Sequence, residues 1–255
     1  MRHGFIGYGN LAKAVYRGIK KTEESSFGYY STSNKHTEIP HFDNIAELVA
    51  GSDAIWLTVK PQNLDDVLDK LKNQDLSNKV IVSAVAGKNI PQIENGINAP
   101  VIRIMTNLAV EFGSAVTAYQ TNNIDSELVL PVIQLLKKLG ILFKLPEKDF
   151  DLFTAIFGSG PAFFLKFLDV QRNKILKLGI EHKDVNTMLS GLLYGTADFY
   201  KAHNENCSID NLICQIASKN GTTEAGLKYL TENNIDILFE NVIEITQKRS
   251  GELSK

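Results

Sequence analysis

Three features of the chain predict its fold class. Short apolar runs alternate with helical periodicity up to residue 146, strand signal stops at about 147, and only helices follow. They predict an α/β domain over 1–146, built on a largely parallel sheet, and an all-helical domain over 147–255. A chain of 255 residues is long enough to give each domain its own core.

The elements follow in order. His3-Gly4-Phe5-Ile6 is the first strand, and 10–21 is a helix that turns Leu11, Ala14, Val15, Gly18 and Ile19 inward. A second strand is expected at 27–31, a short helix at 44–50, and a buried strand at 53–59 that Lys60-Pro61 stops. Leu64, Val67, Leu68 and Leu71 mark one face of the next helix. Val80-Ile81-Val82-Ser83, Val101-Ile102-Arg103-Ile104 and residues 114–119 supply three more strands, followed by a helix at 126–138 and a last strand at 141–144. Strands this uniformly apolar belong to a sheet covered on both faces. Pro161 suits a helix start, and helices are expected at 162–178, 183–203, 208–217, 222–231 and 235–248.

Charge excludes some partners. With 27 basic and 29 acidic residues and no basic block, nothing in the sequence would track a phosphate backbone or an anionic membrane. The N-terminus lacks the regions of a signal peptide, and no apolar run is expected to reach the roughly 20 residues that span a bilayer, so the expectation is a cytoplasmic protein. Cys207 and Cys214 are too sparse for a disulfide framework and lack partners for a metal site, so no metal is expected. None of the histidines His3, His36, His41, His182 and His203 falls within a motif.

Gly7-Tyr8-Gly9-Asn10-Leu11-Ala12 lies between the first strand and the first helix. In that position Gly7 permits a tight turn, Gly9 lets the backbone approach a pyrophosphate, and Ala12 allows close helix–strand packing, the fingerprint of a Rossmann-type dinucleotide site. Where an NAD-specific fold places an acid after the second strand, this chain has Ser31-Thr32-Ser33-Asn34-Lys35. Hydroxyls and a cation suit a 2′-phosphate, so the expected cofactor is NADP, with NADPH preferred over NADH; an ordinary polar turn would have the same composition. In the second domain, Ser218, Gly221, Thr222 and Thr223 join one helix to the next, and hydroxyls beside free helix-start amides form a carboxylate cradle, a role compatible with Thr222 capping the helix. Phe157-Gly158-Ser159-Gly160-Pro161-Ala162 opens the long helix and allows something to approach closely.

Taken together, these segments resemble pyrroline-5-carboxylate reductase. The resemblance is carried by residues 7–12, Val59-Lys60-Pro61-Gln62, Ala86-Gly87, Arg103-Ile104-Met105, the segment at 157–162, the loop at 218–227 and the terminal Arg249-Ser250-Gly251-Glu252-Leu253, in the family's order over nearly the whole chain. It implies NAD(P)H-dependent hydride transfer to the imine of 1-pyrroline-5-carboxylate, giving L-proline. It also implies a helical dimerisation domain that interleaves with a second subunit, a homodimer, and a decamer as the higher assembly. Gly7, Gly9, Asn10, Leu11, Ala12, Ser31, Thr32, Lys35, Asn44, Val59, Lys60, Pro61, Ala86 and Gly87 would contact the cofactor. Ser218, Gly221, Thr222 and Thr223 would hold the substrate, and Thr223 would hydrogen-bond the imine nitrogen.

The chain departs from the family twice: Leu108-Ala109 replaces a Thr-Pro pair, and Lys219-Asn220 replaces Pro-Gly in the carboxylate loop. Asn tolerates a positive φ in place of Gly, whereas losing Pro loosens the loop. Two rivals remain, a reductase of another cyclic imino acid and a non-catalytic nucleotide-binding paralogue. The β-hydroxyacid dehydrogenase pattern fails, because Phe164 and Leu168 stand where it needs Lys and Asn.

Overall fold

A computed structural model describes residues 1–32 and 38–253. Within them the chain divides into two compact units, 1–160 with 243–255, and 161–242.

The first unit holds a seven-stranded sheet. Its strands are β1 (Arg2–Ile6), β2 (Ser26–Tyr30), β3 (Ala54–Leu57), β4 (Val80–Ser83), β5 (Val101–Met105), β6 (Ala115–Thr121) and β7 (Gly140–Lys144), in the order β2-β1-β3-β4-β5-β6-β7. Every neighbouring pair is parallel except β5–β6, where Ile102 faces Thr121 and Met105 faces Ala118 in antiparallel register. The strands are buried on both sides, as their sequences require. One layer of core gathers Phe5, Ile19, Trp56, Val82, Ile104 and Leu136, and the other Ile6, Leu48, Leu57, Leu68 and Ile81. Helices α1 (Asn10–Thr22) and α5 (Val129–Lys138) supply residues to the first layer; α2 (Ile45–Ala50), α3 (Leu64–Leu71) and α4 (Ile90–Glu94) supply the second. The sequence reading had no α4. Asn89 and Gln92 form its capping box, with Pro91 in the first turn, a helix-start signal that five residues of weak periodicity concealed.

Residues 147–160 pack with the sheet unit and not with the helices that follow. Phe150 and Phe153 of α6 (Phe150–Phe153) bury against Met105 and Ala118. Nearby, the Arg103 guanidinium pairs with Glu147 and lies 4.2 Å from the centre of the Phe150 ring. The other Glu147 oxygen accepts from the Ile90 amide at 3.1 Å, at the start of α4. A π-helical turn, Thr154–Gly158, then leads to α7 (Gly160–Leu176).

The second unit continues α7 and adds α8 (His182–His203), α9 (Ile209–Ile216), α10 (Thr222–Glu232) and the first part of α11 (Ile235–Glu252). It leaves many large apolar side chains uncovered, among them Phe164 at 71% exposure, Phe167, Leu192, Leu238 and Phe239. The helical stretch Glu147–Leu176 contains a window long and apolar enough to cross a membrane by length and composition alone, a test that core helices of soluble proteins also pass. Only 22% of its most apolar window is buried within the chain.

Candidate active site

The chain order reverses at β1, which has β2 on one side and β3 on the other; ligands of open α/β sheets bind at such a point, beyond the carboxyl ends of the strands. A cleft of about 530 Å³ opens there, lined by Gly7, Gly9, Ser31, Thr32, Val59 and Lys60 together with Tyr30, Thr58 and one face of α3. Its floor is tightly specified. The Gly7 amide donates to Tyr30 O at 2.8 Å, the Thr58 amide donates to Ile6 O at 3.0 Å, and the Thr58 hydroxyl donates to Gly7 O at 2.7 Å. Gly7 has φ +87°, and a Cβ there would lie 2.9 Å from both Thr58 O and Val59 Cγ1, so backbone geometry and crowding each demand glycine.

Gly9 differs from Gly7. Its φ is −86°, open to any residue, and a Cβ there would meet no protein atom within 4 Å. Neither strain nor packing accounts for this glycine, and the space that it leaves empty adjoins the start of α1. No side chain caps that helix and no acid lies in its first turn, so the amides beyond Gly9 at Asn10, Leu11 and Ala12 face a cleft suited to an anion. The residues therefore fit a dinucleotide pyrophosphate. Ala12 is fully buried in the core, as close helix–strand packing requires. Tyr8 stacks on Tyr29 with ring centres 4.5 Å apart, and burial raises its phenol well above the ordinary range, keeping it neutral.

Further cofactor candidates lie elsewhere. Pro61 starts a single 3-10 turn, Pro61–Asn63, and Asn44 does not line the cleft. The Asn44 side chain caps α2, accepting from the Glu47 amide at 2.9 Å and donating to Glu47 Oε1 at 2.8 Å. Ala86 and Gly87 follow β4 on the same edge of the sheet, where Gly87, at φ +75°, meets the chain's own C-terminal residues. Lys35 lies outside the described residues. The sequence reading missed Asn63, at the end of the 3-10 turn, and Asp66, Val67 and Lys70 of α3, which line the cleft. Their i, i+3, i+4, i+7 spacing was a findable signal, had the helix been placed beside the reversal point.

In the second unit, the loop after α9 approaches the expected cradle. Gly221, not Thr222, is the N-cap of α10, and it provides no side-chain cap, which removes the capping role considered for Thr222. The Gly221 amide donates to Ser218 O at 2.9 Å, and a Cβ on Gly221 would fall 2.3 Å from the Ser218 hydroxyl oxygen, so the hydroxyl is folded into the loop. Asn220 has φ +57°, the conformation expected of an Asn in a glycine position, and its amide donates to Glu224 Oε2 at 2.6 Å. Ser218, Thr222 and Thr223 are exposed. The other departure, Leu108-Ala109, opens a 3-10 turn, Leu108–Phe112, whose start Asn107 caps by accepting from the Ala109 amide at 2.9 Å; Asn107 also donates to Phe157 O at 2.8 Å.

A nucleotide cleft on a Rossmann-type sheet, followed by an apolar, uncovered helical unit, defines a two-domain dinucleotide-dependent oxidoreductase. Residues 2–87 match the family described as NADP oxidoreductase, coenzyme F420-dependent, and residues 147–253 match pyrroline-5-carboxylate reductase dimerisation. Pyrroline-5-carboxylate reductases of Staphylococcus epidermidis and Staphylococcus aureus are 28% and 29% identical to the chain, over all of it and 98% of their own length. The structure of Plasmodium falciparum pyrroline carboxylate reductase with NADP bound superposes with a TM-score of 0.91 at 26% identity, covering 100% of this chain and 98% of that one. The chain is a homologue of the pyrroline-5-carboxylate reductases along its whole length.

Proposed function

We propose that the protein is a pyrroline-5-carboxylate reductase that uses NADPH to reduce 1-pyrroline-5-carboxylate to L-proline. The observation that carries this reading is the pairing of an unforced glycine at an uncapped helix start, Gly9 before α1, with an uncapped hydroxyl-bearing loop, 218–223. The first suits a pyrophosphate and the second a small carboxylate. Gly7, Gly9, Asn10, Leu11 and Ala12 would hold the pyrophosphate, and Val59, Lys60 and Pro61 the adjoining wall. Ser31, Thr32 and Lys35 would face the adenosine 2′-phosphate, with Asn44, Ala86 and Gly87 as further contacts. Lys70 adds a cation from α3 to the same cleft.

When bound, the reduced nicotinamide supplies a hydride. The chain's residues bind, orient and shield. The first amides of α10 and the Ser218 hydroxyl hold the substrate carboxylate, with Gly221 and Thr222 shaping the cradle. The Thr223 hydroxyl accepts from the iminium N–H and fixes the ring. As the imine carbon gains hydride, the C=N π pair passes to nitrogen and the protonated imine becomes a neutral secondary amine. A protonated imine is already electrophilic, so no strong acid or nucleophile is required.

The dimerisation region would join two copies into a homodimer through the uncovered apolar faces of α7, α8 and α11, with a decamer as the higher assembly and the cytoplasm as the compartment. The test is NADPH oxidation with pyrroline-5-carboxylate, beside the six-membered homologue and with NADH in parallel. Rapid turnover that favours the five-membered ring and NADPH is expected. Turnover of the six-membered imine alone would reassign the substrate, and none with either would leave a nucleotide-binding paralogue.

A further inference from the structure

The end of α11 leaves the helical unit and packs on the sheet unit, since residues 243–255 cluster with 1–160. Two contacts fix it there. Ser250, only 4% exposed, donates its hydroxyl to Asp151 Oδ1 at 2.7 Å, and Asp151 belongs to α6, which is itself anchored by Phe150. Gly87 supplies the second. A Cβ there would lie 2.8 Å from both the carbonyl carbon and the Cβ of Leu253 and 2.9 Å from Ser250 O, so only glycine admits the seated tail. Gly251 completes the fit, because a Cβ there would come within 3.3 Å of Asp151 Oδ2.

The position of this contact gives it meaning. A dinucleotide crosses the reversal point with its adenosine half toward the end of β2, where the ribose hydroxyls are read, and its other half toward β4. The turn at 86–88 comes two residues after the end of β4. A turn centred on a glycine has no side chain of its own to hold it in place, and hydride transfer is sensitive to misplacement of about 1 Å. Resting on the reductase reading above, we propose that Asp151, Ser250 and Leu253 are positioning residues, through which the C-terminal tail braces the turn at 86–88 against the nicotinamide end of the cofactor.

The test uses the full-length protein. Calorimetry compares NADP+ with 2′-phospho-ADP-ribose, which lacks the nicotinamide, and steady-state kinetics follows kcat. For Ser250→Ala and Asp151→Ala, affinity for NADP+ and kcat should each fall about fivefold, the effect of one lost hydrogen bond, with affinity for the half-cofactor unchanged. Asp151→Asn keeps the acceptor and should behave as wild type. Leu253→Gly, which removes the Cβ that approaches Gly87, should reproduce the selective loss even if Ser250→Ala unfolds. Equal loss of both ligands, unchanged NADP+ binding, or an Asn variant no better than Ala would overturn the proposal. Absence of wild-type turnover would contradict the reductase reading alone, because the binding comparison still decides the brace.

Discussion

Thr223 stands at the second position of α10, where its side chain has no capping duty because Gly221 occupies the cap. On the proposed reading its hydroxyl would meet the imine nitrogen. A hydrogen bond to a charged group contributes about 1.5–3 kcal/mol, so Thr223→Ala should lower kcat by roughly tenfold to a hundredfold, with Thr223→Ser recovering most of it. Ser218→Ala, at the carboxylate end, should chiefly raise KM. Equal rates for the Ser and Ala variants at 223 would make the hydroxyl structural. His3 is buried in the sheet core and bears on stability. The Trp56 indole N–H donates to its Nδ1 at 3.1 Å, and burial, the largest cause, lowers its pKa to about 4. The unfolded chain, with a His pKa near 6.5, takes up this proton first. Stability is thus intact above pH 6.5 and is lost as pH falls from there toward 4, by about 2 kcal/mol between pH 7 and pH 5. Urea melts at those two values should show the difference shrink in His3→Gln; an undiminished difference would assign it to other groups.

At the scale of elements, the β1–α1 turn contains two glycines with opposite constraints. Gly7→Ala forces φ +87° on a residue with a Cβ and drives it into Thr58, so it should cost more than 1 kcal/mol of stability. Gly9→Ala places its methyl in open space and should melt within about 1 kcal/mol of wild type, yet weaken NADPH at least tenfold if the space belongs to pyrophosphate. Thermal melts paired with cofactor titration separate the two. Much at this scale was legible in the sequence, because alternating apolar runs mark strands whatever their partners. Direction was not. The run at 114–119 is as apolar as its neighbours, and nothing in it announces that β6 runs antiparallel to β5. Asn220 was legible for a local reason, since its positive φ follows from residue type, whereas the cap that Asn44 makes on α2 depends on a hydrogen bond that residue order alone does not show. The α3 wall of the cleft was missed because a helix face gains its role only from the strand beside it.

For the molecule as a whole, the boundary expected at 146/147 follows the end of strand signal and is where the match to the dimerisation family begins, while the compact units divide at residue 160. Phe150 and Phe153 return residues 147–160 to the sheet unit, and Ser250 with Leu253 returns the tail, neither of which periodicity reveals. The uncovered Phe164, Phe167, Leu192, Leu238 and Phe239 predict a dimer without a stable monomer at micromolar concentration. Light scattering should return about twice the 28.3 kDa chain mass, or a multiple of that dimer, and a persistent monomer would leave these faces unexplained. The central claim, that this chain delivers hydride to a cyclic imine, is tested most directly with NADPH carrying deuterium at both C4 positions. Incubated with pyrroline-5-carboxylate, the protein should form proline with one deuterium on the former imine carbon, one for each NADPH consumed. Cofactor oxidised without labelled proline, or no oxidation under saturating substrate, would contradict it.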